Sequence, residues 1–134
     1  MTRELKKLAT RYSDFKVDLE EHPASRDVAL STNALAVKRA VRNLLTTGTY
    51  ERRFRPFIGS GLQKYLFENV SSVTAQLIRE SIITTITNFE PRARLVSVRV
   101  QVEPDMNSYA ATVKFGILNL PDVVEVSQII SRVR

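Results

Sequence analysis

Residues 88–103 read NFEPRARLVSVRVQVE, and this stretch decides the fold because a helical pattern gives way there to an extended one. Pro91 lacks a backbone N–H and fixes its own φ, so it should stop the preceding helix. From residue 95 onward apolar and polar residues alternate, which is typical of a strand with one buried face. The pattern predicts one face formed by Val96, Val98, Val100 and Val102, and an opposite face formed by Ser97, Arg99, Gln101 and Glu103.

A second alternating stretch follows, formed by Tyr109, Ala111, Val113, Phe115 and Ile117. The residues between the two stretches, 104–108, are rich in turn formers, so strands at 94–103 and 109–118 should form an antiparallel hairpin with a five-residue loop. Residues 122–134 fit two patterns: a helical stripe (Val123, Val126, Ile130, Val133) or a strand (Val124, Val126, Ile130) that Gln128 interrupts. Their β-branched content favours the strand.

Two helices are predicted before this sheet. One spans 33–46, with Ser31, Thr32 or Asn33 as N-cap, Gly48 beyond its end, and an apolar face of Ala34, Val37, Val41, Leu44 and Leu45. The other spans 72–89, with Ser71 or Ser72 as N-cap and an apolar face of Val73, Leu77, Ile78, Ile82, Ile86 and Phe89. A short helical turn is indicated at 62–67. The fold class is therefore α+β, with two or three helices packed on a small antiparallel sheet.

Residues 1–30 are more polar and less regular. We interpret them as an N-terminal extension with one brief strand at 15–19, and residues 31–134 as the folded domain. A chain of 134 residues suits a single domain with one core.

Composition excludes several classes of site. The chain has no cysteine, so disulfides and thiolate metal sites are excluded. We interpret its single histidine, His22, as a solvated loop residue and not as a metal ligand. No cofactor or metal is indicated, and no apolar run approaches the roughly 20 residues that span a bilayer. Residues 1–55 hold 12 Lys and Arg against 7 Asp and Glu, but without a dense basic stripe we interpret this excess as a solvated surface, and nucleic acid is disfavoured as a partner.

Glu90-Pro91-Arg92 is the first candidate site. Glu90 lies near the carboxyl end of a predicted helix, where partial negative charge makes a carboxylate unfavourable by roughly 0.3–1 kcal/mol. A nearby positive group or hydrogen-bond donor must therefore compensate the Glu90 carboxylate. Either Arg92 or Arg94 forms a local ion pair, which general physics favours, or a partner protein supplies a donor.

Arg55, Pro56 and Phe57 form the second candidate site, in a run that interleaves arginines 52, 53 and 55 with two phenylalanines. Such a mixture can bind single-stranded nucleic acid by charge and stacking. The favoured interpretation is a loop whose phenylalanines insert into the core while the arginines stay solvated.

Enzymatic chemistry has little support in the residues. Glu51, Glu68, Glu80 and Glu90 are possible members of a glycosidase pair, but no pairing is signalled. The chain has no G-x-S-x-G elbow, phosphate-binding loop or G-x-G-x-x-G fingerprint. We therefore expect no catalytic residues.

Three segments in order resemble the gene 25-like (GPW) family of baseplate wedge proteins. Residues 55–62, RPFIGSGL, are similar to a shortened R-x-F-x-P-x-F-G-x-x-L loop; residues 66–69, LFEN, match the segment after it; and residues 88–92, NFEPR, carry the hallmark E-P-R at the end of the long helix. The resemblance covers about residues 30–134 and extends to the baseplate subunit of type VI secretion systems.

The resemblance implies a non-catalytic structural component of a contractile phage tail, with a fold like the core domain of the tail sheath protein. It implies contact with the wedge core bundle through Glu90, Pro91 and Arg92, and a template for the first sheath ring. Expected partners are other baseplate wedge proteins, the tail sheath protein and the tail tube or hub; the expected location is the virion baseplate, with assembly in the host cytoplasm. Some members carry a lysozyme-like label, so a peptidoglycan-degrading hydrolase is the alternative.

A mechanism follows from the predicted sheet. An open sheet edge exposes unpaired N–H and C=O groups that can accept a strand from a neighbour. The candidate edges are the strands at 94–103 and 109–118 and the C-terminal segment.

Overall fold

Helices occupy the middle of the chain and the main sheet its end. The structure, a computed structural model, describes residues 12–16, 18–121 and 123–131. The elements in chain order are β1 (Ser13–Phe15), β2 (Leu30–Thr32), α1 (Asn33–Thr46), a 3-10 helix (Gly61–Phe67), α2 (Ser72–Phe89), β3 (Ala93–Glu103), β4 (Ser108–Ile117) and β5 (Val123–Ser131).

The predicted first helix is confirmed with its bounds, 33–46. Thr32 is the N-cap residue in extended conformation, although its side chain makes no capping hydrogen bond. The helix ends before Gly48 because the backbone of Thr47 is extended, while its N–H and hydroxyl both donate to the carbonyl of Asn43, at 2.9 and 2.7 Å. Its buried face consists of Ala36, Val37, Val41, Leu44 and Leu45.

The predicted second helix is also confirmed, but its buried face differs from the prediction. Ser71 is the N-cap, and its hydroxyl accepts from the amide of Thr74 at 3.1 Å. This cap turns Thr74 inward, where its hydroxyl donates to the carbonyl of Asn69 at 3.3 Å. Val73 and Leu77 are therefore exposed, and the buried face consists of Thr74, Ala75, Ile78, Ile82, Thr85 and Ile86.

The main sheet has the order β3-β4-β5, and both pairings are antiparallel. The C-terminal segment is a strand as favoured, with Gln128 opposite Ala111. The hairpin loop has four residues instead of five, because Ser108 pairs with Glu103 and belongs to β4. Since β4 is paired on both sides, the prediction that residues 109–118 offer an open edge is wrong.

Strand β3 contains a bulge that the alternation did not predict. Leu95 pairs with Phe115 and Ser97 with Lys114, so Val96 has no partner in the register. The extra residue points Val96 into solvent, while Val98 is buried. The predicted common face of Val96 with Val98, Val100 and Val102 is therefore wrong at its first member.

Helices α1 and α2 cover one face of the main sheet, and the core lies between them. Fully buried side chains of α1, α2 and β4 meet there, among them Val37, Val41, Ile78, Ile82, Tyr109 and Phe115. The other face carries polar groups such as the Lys114–Glu125 ion pair at 3.3 Å. The α+β class with helices on a small antiparallel sheet is confirmed.

Strands β1 and β2 form a separate antiparallel pair, with Ser13 opposite Thr32 and Phe15 opposite Leu30. The strand predicted at 15–19 instead lies at 13–15, nearer the N-terminus. The chain turns after it, where the Leu19 amide donates to the Lys16 carbonyl at 3.1 Å. Val17 lies outside the described residues. The division of the chain at residues 30 and 31 stays a prediction. Within the described residues, no helix has the length and hydropathy needed to cross a membrane.

Candidate protein-interaction site

Glu90 follows the last turn of α2, and its amide donates to the carbonyl of Ile86 at 2.9 Å. Its side chain is only 7% exposed. Arg92 binds both carboxylate oxygens, with Nε 2.6 Å from Oε1 and Nη2 2.7 Å from Oε2. This bidentate pair compensates the carboxylate at the negative end of the helix, so the local interpretation of Glu90-Pro91-Arg92 describes the isolated chain.

Arg92 also ties the N-terminal residues to the sheet. Its guanidinium lies 5.7 Å from the centre of the Tyr12 ring, and the Tyr12 hydroxyl donates to the carbonyl of Leu118 at 2.9 Å. The Leu118 amide in turn donates to the Arg92 carbonyl at 2.9 Å. Arg92 therefore connects the end of α2 and Tyr12 through its side chain, and the chain after β4 through its backbone carbonyl.

The hydrogen bond to Glu90 raises the pKa of Arg92, although partial burial opposes this shift. Because this pKa is raised, the charged Arg92 side chain stabilises the fold at every pH below the ordinary arginine pKa. This contribution is lost only as the pH rises through the higher folded-state pKa. The guanidinium therefore stays charged through the neutral and mildly alkaline range.

The loop of residues 49–58 is closed at its base by backbone contacts. The amide of Ser60 donates to the Thr47 carbonyl at 2.8 Å, and its hydroxyl donates to the Leu45 carbonyl at 2.7 Å. Gly59 has a φ of 149°, and a Cβ there would lie 2.6 Å from the Gly48 carbonyl oxygen. The base of the loop thus admits only glycine at position 59 without strain.

The predicted insertion of the loop's phenylalanines into the core is wrong. Phe54 is 98% exposed and Phe57 is 66% exposed, and Arg55 is exposed as well. The reason is local, because the loop contains two consecutive turns. In the first turn the Arg55 amide donates to the Arg52 carbonyl at 3.3 Å, and in the second the Ile58 amide donates to the Arg55 carbonyl at 3.1 Å. These two turns leave Ile58 partly buried and direct both rings outward.

One cleft of about 290 Å³ brings parts of the two candidate sites together. Arg52, Arg55 and Ile58 line it from the loop, and Phe89 and Glu90 line it from the end of α2. Pro56, Phe57, Pro91 and Arg92 do not line the cleft; they lie on the loop and the helix exit that border it. Asp14 of β1 and part of α1 complete the lining.

Sequence reasoning missed Asp14. It stands in a polar segment without any motif, and only the pairing of β1 with β2 brings it to this cleft. No local signal in the sequence could have identified it.

Charged and aromatic side chains are exposed in and beside the cleft. Within the described residues, Arg52 and Arg55 make no ion pair, so both guanidinium groups are available to an acidic partner. The exposed rings of Phe54 and Phe57 add the kind of aromatic surface that is enriched at protein interfaces. In the described part of the chain, no three histidine or carboxylate side chains converge as metal ligands.

Known proteins resemble this chain in sequence and in fold. The family model for baseplate wedge protein gp25 matches residues 31–118. Baseplate wedge protein gp25 of Enterobacteria phage T4 is 28% identical over 114 residues, which are 85% of this chain and 86% of the T4 protein.

Solved structures show the same fold. A proposed tail lysozyme from Geobacter sulfurreducens superimposes with a TM-score of 0.67 at 20% identity, over 73% of this chain and 89% of that one. A chain of the anti-feeding prophage baseplate superimposes with a TM-score of 0.63 at 21% identity, over 92% of this chain and 87% of that one. A chain of the pyocin R2 baseplate after contraction superimposes with a TM-score of 0.51 at 20% identity, over 84% of this chain and 96% of that one.

The family match covers about two-thirds of the sequence and contains both candidate sites. The chain therefore belongs to the gp25 family of baseplate wedge proteins of contractile phage tails.

Proposed function

We propose that this chain is a non-catalytic baseplate wedge component that binds the wedge core bundle at the cleft between residues 52–58 and the end of α2. We further propose that it offers an edge of its main sheet as a template for the tail sheath. The observation that carries the first proposal is the meeting of Arg52, Arg55 and Glu90 in one cleft. The two arginines are distant in sequence from Glu90. Arg55 and Glu90 belong to two segments that resemble the family's motifs, and Arg52 precedes the first of these segments by three residues.

The two sides of the cleft have different roles in this proposal. The Glu90–Arg92 pair fixes the helix exit, because its two short hydrogen bonds leave the carboxylate no freedom to rotate. The loop supplies the contacts, since its arginines and phenylalanines are exposed on a base that Ser60 and Gly59 hold rigid. A preformed loop loses little conformational entropy on binding.

Truncating the loop's rings tests this assignment. Because Phe54 and Phe57 contribute almost nothing to the core, Phe54→Ala/Phe57→Ala should leave the urea unfolding midpoint unchanged. The same variant should weaken binding to the wedge core bundle by about 30-fold or more, the effect of losing an aromatic hot spot. Binding is measured with purified wedge proteins, and baseplates are imaged by electron microscopy.

Phe67→Ala is the matched control, since Phe67 is 71% exposed but lies on the 3-10 helix. It should bind and assemble as the wild type does. Normal affinity and complete baseplates in the double variant would refute the loop's role.

Strand β5 is the better template edge. It is an outer strand of nine residues, Val123–Ser131, paired only with β4. Within the described residues, no side chain donates to or accepts from its backbone. Its unpaired N–H and C=O groups therefore remain available for an added strand.

Strand β3, the other outer strand, is blocked in two ways. The bulge at Val96 interrupts its regular register. The Nε of Arg79, on α2, donates to the Val98 carbonyl at 3.0 Å, so this carbonyl already has a partner. Bulges and covering side chains are the usual means by which proteins protect an edge from strand addition.

Charged substitutions beside each edge distinguish the two strands. Val123 and Ile129 are exposed on β5, so Val123→Lys/Ile129→Lys should leave the fold intact and obstruct an incoming strand. We expect baseplates that form normally but carry no sheath. Val96→Lys on β3, also at an exposed valine, is the control and should support sheath assembly. Sheath formation on the β5 variant would refute the template proposal, whatever the outcome at the cleft.

The hydrolase alternative finds less support in the geometry. Asp14 and Glu90 are the two carboxylates that line the cleft, but both oxygens of Glu90 accept hydrogen bonds from Arg92. Glu51 and Glu68 are exposed and bond to Gln63 and Thr74. Release of soluble fragments from peptidoglycan by the purified chain, lost in Glu90→Gln, would establish the alternative.

Tail tube or hub proteins are further proposed partners, and the virion baseplate is the proposed location after assembly in the host cytoplasm. The family membership supports the baseplate assignment.

A further inference from the structure

A second recess lies along α1, separate from the cleft described above. Its volume is about 300 Å³, and it runs between the exposed side of α1 and the β1–β2 pair. Leu30, Leu35, Lys38, Arg39 and Arg42 are among its lining residues. It shares no lining residue with the cleft, and we refer to it as the α1 groove.

Four of the residues that line the α1 groove are cationic, and within the described residues only Lys16 among them has an ion-pair partner, Glu20 at 3.6 Å. Positions 38 and 39 follow position 35 by three and four residues, and position 42 follows them by four and three, so all four lie on one side of the helix. Helix α1 contains no acidic residue, and within the described part of the chain Lys38 and Arg42 make no ion pair. Two like charges at this i,i+4 spacing cost the isolated helix a few tenths of a kcal/mol.

Apolar side chains accompany these cations. Leu35 is 66% exposed on the same stripe, and Leu30 is 52% exposed on β2. Leu30 pairs with Phe15 of β1, which is exposed too. Arg39 holds this apolar cluster against the helix, since its Nη1 donates to the Phe15 carbonyl at 3.0 Å.

We infer that the α1 groove binds an acidic amphipathic segment of a neighbouring protein. The aliphatic side chains of this partner segment contact Leu30 and Leu35, and the carboxylates of the segment pair with Lys38 and Arg42. The stripe from residue 35 to residue 42 is about 10 Å long, which matches two turns of a partner helix carrying acids at i,i+4 spacing.

Charge and shape favour this occupant over others. Phosphates would satisfy the cations, but the leucines that line the groove give nucleic-acid bases no stacking surface, and Phe15 beside them is a single ring, whereas single-strand binding stacks successive bases on several rings. The chain's own residues 1–11 contain four Lys and Arg against one Glu, so they repel the groove rather than complement it. A second copy would bring the same positive stripe to the contact.

Selection from random peptides of about 16 residues, with the full chain as bait, tests the inference without assuming its role in the baseplate. Enriched peptides should combine Asp or Glu with Leu or Ile at spacings of three and four. Their affinity, measured by fluorescence anisotropy, should fall at least about tenfold in Lys38→Glu/Arg42→Glu and in Leu30→Ala/Leu35→Ala.

Arg94→Glu/Arg99→Glu is the matched control, because both arginines are exposed on β3 and either pair of reversals takes the net charge from +6 to +2. It should bind the peptides as the wild type does. Equal loss in this control, or peptides without acidic enrichment, would overturn the inference.

Three further results would assign the groove to another occupant and overturn the inference too. Single-stranded DNA that displaces the peptides would indicate nucleic acid. Self-association that Lys38→Glu/Arg42→Glu abolishes would indicate a second copy. Tighter peptide binding by Leu5→Asp/Leu8→Asp would indicate that the chain's own N-terminus fills the groove.

Discussion

Single residues at the candidate site are constrained by their backbone or by their partner. Gly59 has a backbone conformation that other residues avoid, and Glu90 is a nearly buried carboxylate whose two oxygens both bind Arg92. Both constraints act on the segments that border the cleft, so local stability and the shape of the site depend on the same atoms.

Gly59→Ala should destabilise the chain by at least about 2 kcal/mol, because a Cβ at a φ of 149° would lie 2.6 Å from the Gly48 carbonyl oxygen. Urea unfolding followed by circular dichroism measures the change. Gly116→Ala is the control, since a Cβ there meets nothing within 4 Å, and it should change stability by less than about 1 kcal/mol. Equal effects of the two substitutions would contradict the strained geometry.

Arg92→Ala should cost about 2–3 kcal/mol in the free energy of unfolding, because it leaves the Glu90 carboxylate buried without its partner. The figure lies below the range for fully buried pairs because the Arg92 side chain is 33% exposed. Arg94→Ala, at an exposed neighbour, should cost less than about 0.5 kcal/mol. The cost should stay constant between neutral and mildly alkaline pH, since the pKa of Arg92 is raised.

At the scale of elements, helix ends were predictable from the sequence and strand faces were less so. The bounds of α2 follow from the Ser71 N-cap and from Pro91, which act within one turn of the chain, and α1 begins after Thr32 without a side-chain cap. The bulge at Val96 depends instead on how β3 pairs with β4, and alternation within one strand carries no information about that register.

The two N-caps differ in a way that can be measured. Ser71→Ala should lower stability by about 1 kcal/mol, because it removes the acceptor for the Thr74 amide at 3.1 Å. Thr32→Ala should change stability by less than about 0.5 kcal/mol, since the Thr32 side chain makes no capping bond. Thermal unfolding of both variants is sufficient, and a larger loss at Thr32 would contradict the assignment.

For the whole molecule, the sequence predicted the class and the two candidate segments but not their meeting in one cleft. The helices and strands have their own periodicity, whereas the outward direction of the residue 52–57 loop results from turns and from contacts at its base. The prediction that its phenylalanines are buried was wrong, because aromatic content alone does not tell whether a ring faces the core or a partner.

The role of the N-terminal residues can be tested on the full fold. Tyr12 contacts Arg92 and bonds the Leu118 carbonyl, so Tyr12→Ala should lower the free energy of unfolding by about 1–2 kcal/mol. Phe15→Ala removes an exposed ring of the same segment and should change it by less than about 0.5 kcal/mol. No loss at Tyr12 would support treating residues 1–30 as a dispensable extension.

The unequal margins of the main sheet give the subunit a polarity. If Arg79 and the Val96 bulge close one margin, growth proceeds from β5 alone, and two copies cannot lengthen each other into a ribbon. Under the proposed template role, such a subunit would start an array of another protein from one edge only and would not polymerise with its own kind.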